Sequence, residues 1–324
     1  RCFYDLVVEV AIIRPGPITG KMVHPYLERR AGRAPVTYPH PCLEPILART
    51  LGVPLFQEQL LRIALAAAGF SGGEAEELRR AMGFKRSAER MKEIEKKLRA
   101  GMTERGIAGA TQDEIVHSIT SFALYGFPES HSASFALIVY ASAFLKRHHP
   151  AAFYASLLNA WPMGFYHPAT LVKDAQRHGI EVYPVDVNRS GWRCRWEKGG
   201  FRIGLRYVQG LRQSVGNTIE AEQMRSPFTD TADLAQRCGL GGDQLERLAH
   251  VGALGSLGLT RRHALWQVAE VAGRRGPLLA QLPPEPRSPL PEMSDLDATI
   301  ADYAGLNLTT GPHLMAYLRD DMNR

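Results

Sequence analysis

Only four cysteines occur in the 324 residues, Cys2, Cys42, Cys194 and Cys238, and no two of them form a C-x-x-C pair. A disulfide framework and a structural zinc site are therefore excluded as organising devices, and a reducing cytoplasm is the expected compartment. No run of 18 apolar residues is present, so no membrane span is expected. The opening Arg1-Cys2-Phe3-Tyr4-Asp5 lacks the pattern of a signal peptide. A Walker A loop, a Ser-His-Asp arrangement and a Gly-x-Ser-x-Gly elbow are missing as well, which removes several phosphate-loop and hydrolase chemistries. Carboxylates that hold two Mg²⁺ ions should come as close pairs on strands. Asp186 stands alone in Pro184-Val185-Asp186-Val187-Asn188, and Asp320-Asp321 lies in the tail. No metal site is expected within this chain.

Charge of one sign is in small excess. Thirty-nine basic against 33 acidic residues leave +6, with a pI near 9.2. That balance permits a polyanionic partner and does not require one. With 45% apolar residues the chain can bury a full core. Its length fits one large domain or two to three ordinary ones. There is no initiating Met, and a strand-like apolar run, residues 6–13, sits at the edge, so a piece of a longer protein is expected.

Helical periodicity dominates the rest of the chain. Leu60, Leu61, Ile63, Ala64 and Ala67 predict a helix that ends at Gly69. A second helix is expected over 74–82, a charged amphipathic one over 87–105, and one over 111–124 opened by Thr111 as N-cap. An apolar helix is expected over 134–146, followed by 151–159 and a short one over 171–178. Residues 180–187 alternate and are rich in Val and Ile, which predicts a strand. Residues 192–196 and 201–205 predict a small hairpin around Lys198-Gly199-Gly200. Two helix–turn–helix units come next, residues 205–221 turning at Gln209-Gly210-Leu211, and residues 230–250 turning at Cys238-Gly239-Leu240-Gly241-Gly242. From residue 276 the chain is Pro-rich, a linker followed by one polar amphipathic segment, 295–303, and a final short run.

Three constellations carry chemistry. Ser130-His131-Ser132 stand behind Gly126-Phe127-Pro128 at a helix start, where unpaired N–H groups favour an anion. The same serines serve equally as an ordinary N-cap. Arg79, Arg80, Lys85 and Arg86 form a second anion-ready element, because two neighbouring guanidiniums can fork onto phosphate oxygens. Basic residues at a helix C-terminus also suit the macrodipole with no ligand at all. In the paired hairpin units, Gly210 lets backbone N–H groups approach a DNA phosphate without reading bases. Arg202, Arg206 and Arg212 would add counterion release. An αα-hairpin of any helical bundle would look similar.

In order along the chain, Arg14-Pro15-Gly16-Pro17, Phe56-Gln57-Glu58-Gln59, Leu78-Arg79-Arg80-Ala81-Met82-Gly83 and Tyr125-Gly126-Phe127 with Ser130-His131-Ser132 resemble the fingers of bacterial family C DNA polymerases, the DNA polymerase III alpha family. Gly126-Phe127-Pro128-Glu129-Ser130-His131, the run Asn159 to Tyr166, and Pro184-Val185-Asp186-Val187-Asn188 resemble the error-prone, ImuC-like branch. The resemblance implies a mainly α fold: a multi-helix fingers domain (1–165), a small α/β connecting insert (166–200), a tandem helix-hairpin-helix DNA-binding domain (201–275), and a Pro-rich linker with a C-terminal segment (276–324). It implies a DNA-directed DNA polymerase in damage-induced translesion synthesis, acting on primer-template DNA and dNTPs with Mg²⁺. A sliding clamp and an accessory Y-family-like polymerase subunit are implied partners. By position, Arg79, Arg80 and Lys85 resemble groups that hold the incoming triphosphate, and Ser130 and His131 those beside its sugar. The family's catalytic aspartates lie in a palm that precedes the fingers, so the Mg²⁺ ions are expected on residues outside this chain. The fragment alone is then expected to be inactive, and a non-catalytic, sequence-independent DNA-binding module is the alternative. A helical scaffold for acidic proteins is a weaker third.

Overall fold

β-Branched side chains make residues 6–13 look like a strand, yet residues 6–12 lie in helix α1 (Phe3–Ile12) and Ile13 is its C-cap. Asp5 accepts the Cys2 amide at 2.8 Å and fastens the first turn. Val7, Val8 and Ala11 share one face and are buried. Packing of that face overrides the local preference for extended backbone. The computed structural model to which α1 belongs describes residues 2–13, 23–81, 88–122, 127–273, 288–289 and 291–322. Arg14 to Pro17, Met82 to Arg86 (with Lys85) and Tyr125-Gly126 lie outside the described residues.

Helix α2 (Val23–Arg30) and the single turn α3 (Glu44–Leu47) flank the Pro-rich stretch. Helix α4 (Gln57–Ala68) is the centre of the first half, and it stops at Gly69, whose φ of +69° ends it as expected. Around it pack α5 (Gly72–Ala81) and α6 (Ala88–Glu104), and α7 (Ala110–Phe122) packs on α6. Leu60, Ile63, Leu78, Leu98 and Ile115 form their shared core. Helix α7 starts at Ala110, so Thr111 lies inside it and is not its cap. Gln112 anchors that end instead, donating to the carbonyl of Arg99 at 2.9 Å and to Thr103 Oγ1 at 3.0 Å.

Helices α4 and α6 cross so closely at Gly101 that a Cβ there would overlap the Ala68 carbonyl oxygen. Gly101→Val should therefore cost roughly 2–3 kcal/mol. Urea denaturation checks this, and an unchanged midpoint would contradict the close crossing.

Helix α8 (Glu129–His148) begins five residues before the expected start at 134. By internal contacts the chain forms two units, residues 1–142 and 143–324. In the second, α9 (Pro150–Ala160) and α10 (Pro168–Arg177) lead into β1 (Glu181–Tyr183), β2 (Arg195–Glu197) and β3 (Gly200–Arg202). Strand β3 is central. It runs antiparallel to β2, with Trp196 opposite Phe201, and parallel to β1, with Val182 opposite Phe201. The predicted strand over 180–187 is thus only three residues long. Beyond it Asp186 forms a clasp, its two carboxylate oxygens accepting Asn188 N–H at 2.9 Å and Ser256 N–H at 3.0 Å. A lone Asp here is structural.

Helices α11 (Gln213–Arg225), α12 (Thr231–Cys238), α13 (Gly242–His250) and α14 (Arg261–Gly273) follow, then α15 (Asp295–Leu306) and α16 (Leu314–Met322). Tyr154, Phe201, Ile219, Leu248, Ala264 and Leu306 belong to one hydrophobic core. The connecting insert, the hairpin region and the segment after the Pro-rich stretch, separated by composition, therefore share one interior.

That interior also predicts a pH response. Burial pushes the Cys194 thiol from 9.0 up to about 11. Burial, then the hydrogen bond to Asp174, pushes Tyr154 from 10.0 up to about 12. Burial raises Tyr207 as well. Each folded value lies above the unfolded one. The neutral forms thus contribute stability that is complete below about pH 9 and lost as pH climbs towards 12. Melting temperature should fall steeply above pH 9, and a flat profile to pH 11 would contradict the buried neutral groups.

Candidate nucleic-acid interface

Two sequence motifs that lie about seventy residues apart meet in space. Phe56 and Phe127 form a parallel backbone bridge, and Gln57 N–H donates to the Phe127 carbonyl at 3.1 Å. Each residue of Phe56-Gln57-Glu58-Gln59 has a distinct task there. Phe56 is fully buried. Gln59 accepts the Leu55 and Phe56 amides at 2.8 and 3.1 Å, and donates to Thr50 Oγ1 at 2.8 Å. Glu58 reaches across and accepts the Glu129 amide at 2.8 Å, capping α8 from a distance.

This cap corrects an expectation. Neither Ser130 nor Ser132 is the N-cap of α8, because both lie inside the helix, whose first amide is held by Glu58. The Ser130 side chain is exposed, and its carbonyl accepts Ser134 Oγ at 3.0 Å. His131 is also exposed and is flanked by rings, with centroids 5.1 Å from Phe127 and 4.5 Å from Phe135. Ser132 is buried, and among the described residues its hydroxyl has no hydrogen-bond partner. Behind the corner, Tyr4 donates to Glu129 Oε1 at 2.7 Å, and Arg49 lies 3.5 Å over the Tyr4 ring. Burial first, then the Glu129 hydrogen bond, holds the Tyr4 hydroxyl protonated well beyond the usual tyrosine range. Glu58, Glu129, Tyr4 and Arg49 are not legible as site residues in the sequence, since their roles depend on partners far away along the chain.

Arg79 and Arg80 occupy the last turn of α5, and both converge on Glu76. Arg79 makes a two-point contact with the Glu76 carboxylate, 2.7 Å at each oxygen, and Arg80 Nε adds a third bond at 3.1 Å. Hydrogen bonds from Arg79, then Arg80, hold Glu76 down to about 2. The three side chains are exposed, Arg80 most of all at 73%. A carboxylate thus occupies the guanidinium fork. Among the described residues no hydrogen bond joins this arginine pair to Ser130 or His131. What the two share is α4, which α5 packs against and whose first turn carries Glu58.

In the second unit the expected DNA contacts fare differently. Arg202 is 5% exposed and is committed to the fold. It donates to Glu197 at 2.6 and 2.9 Å and to the Pro184 carbonyl at 3.0 Å, and it lies 5.0 Å over the Tyr183 ring. A buried, bidentately paired guanidinium is not available to a phosphate, so its place among the DNA contacts is corrected. Arg206 points inward too, holding the carbonyls of Asn159 at 2.7 Å and Trp161 at 2.9 Å. Arg212 is exposed at the N-cap of α11. Gly210 has a φ of +74°, and a Cβ there would lie 2.6 Å from the Arg247 guanidinium, so the turn does require glycine.

The first helical unit differs from the expected one, since residues 205–207 form a single 3₁₀ turn before the hairpin. Gln209 N–H at that hairpin donates to the Gly305 carbonyl of α15 at 2.8 Å. The second unit is α12 and α13 joined at Gly239, whose φ is +62°, and its flanking space is open. The sequence reading omits a further pair. Helices α13 and α14 pack closely through the turn at Gly252, φ +76°, with Arg261 tied to Asp302 of α15 at 2.6 Å. Its signal is present in Leu245, Leu248 and the glycine after them.

Among the described residues no group of three or more His, Cys, Asp or Glu side chains could hold a metal ion. No helix of the described residues is long and apolar enough to cross a membrane.

Comparison with known families agrees with this layout. Residues 1–106 match the model of the bacterial DNA polymerase III alpha subunit finger domain, and residues 179–264 match that of the helix-hairpin-helix motif. Residues 1–106 are thus similar to the finger domain of the DNA polymerase III alpha subunit, and nearly the whole chain is similar to part of proteins named Error-prone DNA polymerase. That of Anaeromyxobacter dehalogenans (strain 2CP-C) is 52% identical over 332 residues, covering 98% of this chain and 29% of the relative. That of Corynebacterium efficiens is 48% identical, covering 98% of this chain and 30% of the relative. That of Bordetella bronchiseptica is 47% identical, covering 99% and 31%. The chain thus spans about three tenths of the length of these curated relatives.

Proposed function

We propose that residues 1–324 are the part of an error-prone DNA-directed DNA polymerase that grips the incoming dNTP and holds primer-template DNA. The observation that carries the proposal is the junction of Phe56–Glu58 with Phe127–Glu129, which presents Ser130 and His131 on one rigid, capped helix end. In this reading Arg79 and Arg80 exchange Glu76 for the triphosphate, with Lys85 beside them in sequence. Ser130 and His131 stand beside the sugar. The open Gly239 turn, Gly210 and Arg212 meet the DNA backbone, where contacts position the duplex without reading sequence. Mg²⁺, when bound, neutralises the phosphate charge that builds up during transfer. Its ligands belong to other parts of the parent protein, and this chain binds and orients.

The helix-hairpin-helix match over residues 179–264 favours a second reading for the isolated chain: a non-catalytic, sequence-independent DNA-binding module. Both readings require phosphate contacts, so affinity for duplex DNA should fall linearly in log–log form as salt rises, by about 0.9 per contact. An affinity indifferent to salt would remove both. The two part on primer extension, expected from the parent polymerase and absent from this chain alone. A sliding clamp and an accessory Y-family-like polymerase complete the proposed partners, and work on chromosomal DNA implies a cytoplasmic protein. Co-purification of the parent protein with the clamp and accessory subunit after DNA damage tests that set, and their absence would remove it.

A further inference from the structure

Between α9 and α10 the chain makes a loop, residues 161–167, that neither the nucleotide grip nor the hairpins use. It carries two rings into solvent, Phe165 fully exposed and Tyr166 61% exposed. An isolated, fully exposed phenylalanine contributes nothing to a core. The loop's base is fixed. Asn159 exchanges two hydrogen bonds with the Cys194 backbone, each 2.8 Å. Arg206 holds the Asn159 and Trp161 carbonyls, and the adjacent Tyr207 hydroxyl donates to the Leu158 carbonyl at 2.8 Å. At the far end His167 caps α10 through the Ala169 amide at 3.2 Å, with its ring 6.4 Å from that of Trp161. Gly164, φ +52°, makes the turn that sends the two rings outward.

The anchor matters for what the rings could meet. Arg206 lies in the 3₁₀ turn that leads directly into the Gln209–Gly210 hairpin, so the loop is mounted on the element that introduces the DNA-binding region. Arg193, beside Cys194, is exposed and has no ion pair among the described residues. Exposed aromatic faces on an anchored loop suit nucleobases, since every base has a π-face.

We propose that Phe165 and Tyr166 form a stacking platform for an unpaired base of the template strand. The proposal rests on the DNA-binding reading above and adds a site to it. Such a contact tolerates any base, because stacking does not depend on the hydrogen-bonding edge.

The test uses the whole chain, a primer-template with a single-stranded 5′ overhang carrying 2-aminopurine, and the matching blunt duplex. The unchanged protein should alter 2-aminopurine fluorescence on binding. Phe165→Ala with Tyr166→Ala should weaken overhang binding about 5- to 100-fold. It should leave blunt-duplex binding and its salt dependence intact. Phe165→Trp should retain the overhang preference, and Phe165→Leu should lose it, since leucine is apolar but cannot stack. Equal overhang binding by the double alanine variant would overturn the platform and leave the loop as a protein contact. Full retention by Phe165→Leu would overturn it too, by showing an apolar contact without stacking. If the unchanged chain binds neither DNA at low salt, the DNA-binding reading itself fails, and the platform with it. Because both side chains are exposed, circular dichroism of all variants should match that of the unchanged chain.

Discussion

Replacing Arg79 and Arg80 together by alanine in the parent polymerase is expected to lower kcat/KM for incoming dNTPs by about 100-fold or more, the scale seen when preorganised charge is removed from a transferring group. Both guanidiniums sit on one helical turn and already make charge-assisted hydrogen bonds to a single carboxylate, Glu76. That arrangement shows that two forks can converge on one small anion. A triphosphate carries more charge than a carboxylate and would displace it. The same logic predicts an opposite effect for Glu76→Gln, which removes the competing charge and should lower the apparent KM for dNTPs. Steady-state single-nucleotide insertion checks both. Unchanged kinetics in the double alanine variant would remove the triphosphate role, and an unaltered KM in Glu76→Gln would remove the exchange.

The second large effect concerns stability. Arg202→Ala should destabilise the chain by about 2–3 kcal/mol. It leaves Glu197 and the Pro184 carbonyl without their donor and empties the space over Tyr183. The lower end of the range for a broken buried pair applies because Glu197 remains a third exposed. Thermal melting should shift down by roughly 5–10 °C. DNA affinity per folded molecule should not change, which separates a structural guanidinium from a phosphate contact. A normal melting temperature with weakened DNA binding would reverse the assignment.

These two arginine sites illustrate what sequence can convey. Arg79 and Arg80 are visible because adjacent basic residues at a helix end form a local pattern, and α5 carries them there. Arg202 is visible only as a positive charge near a hairpin. Its burial depends on Glu197, Tyr183 and Pro184, which the sheet register brings together. The same holds at α8. Its apolar run predicts a helix, but its start at Glu129 is set by Glu58, seventy-one residues earlier. Helix α1 reads as a strand because Val7, Val8, Val10 and Ile12 favour extended backbone locally, while its packing face decides otherwise. Helix α15 reads as an amphipathic tail. That Gly305 receives the Gln209 amide, and Asp302 the Arg261 guanidinium, is a matter of tertiary structure. Periodic elements and glycine stops such as Gly69 are written locally, whereas caps and ion pairs across the fold are not.

One measurement bears most directly on the proposed nucleotide grip. A dNTP carrying a photoreactive group, bound by the parent polymerase on primer-template DNA and then irradiated, reports which peptides surround it. Labelling should fall on the peptides that contain Arg79-Arg80 and Ser130-His131. Labelling confined to other peptides, with these two untouched, would contradict the account.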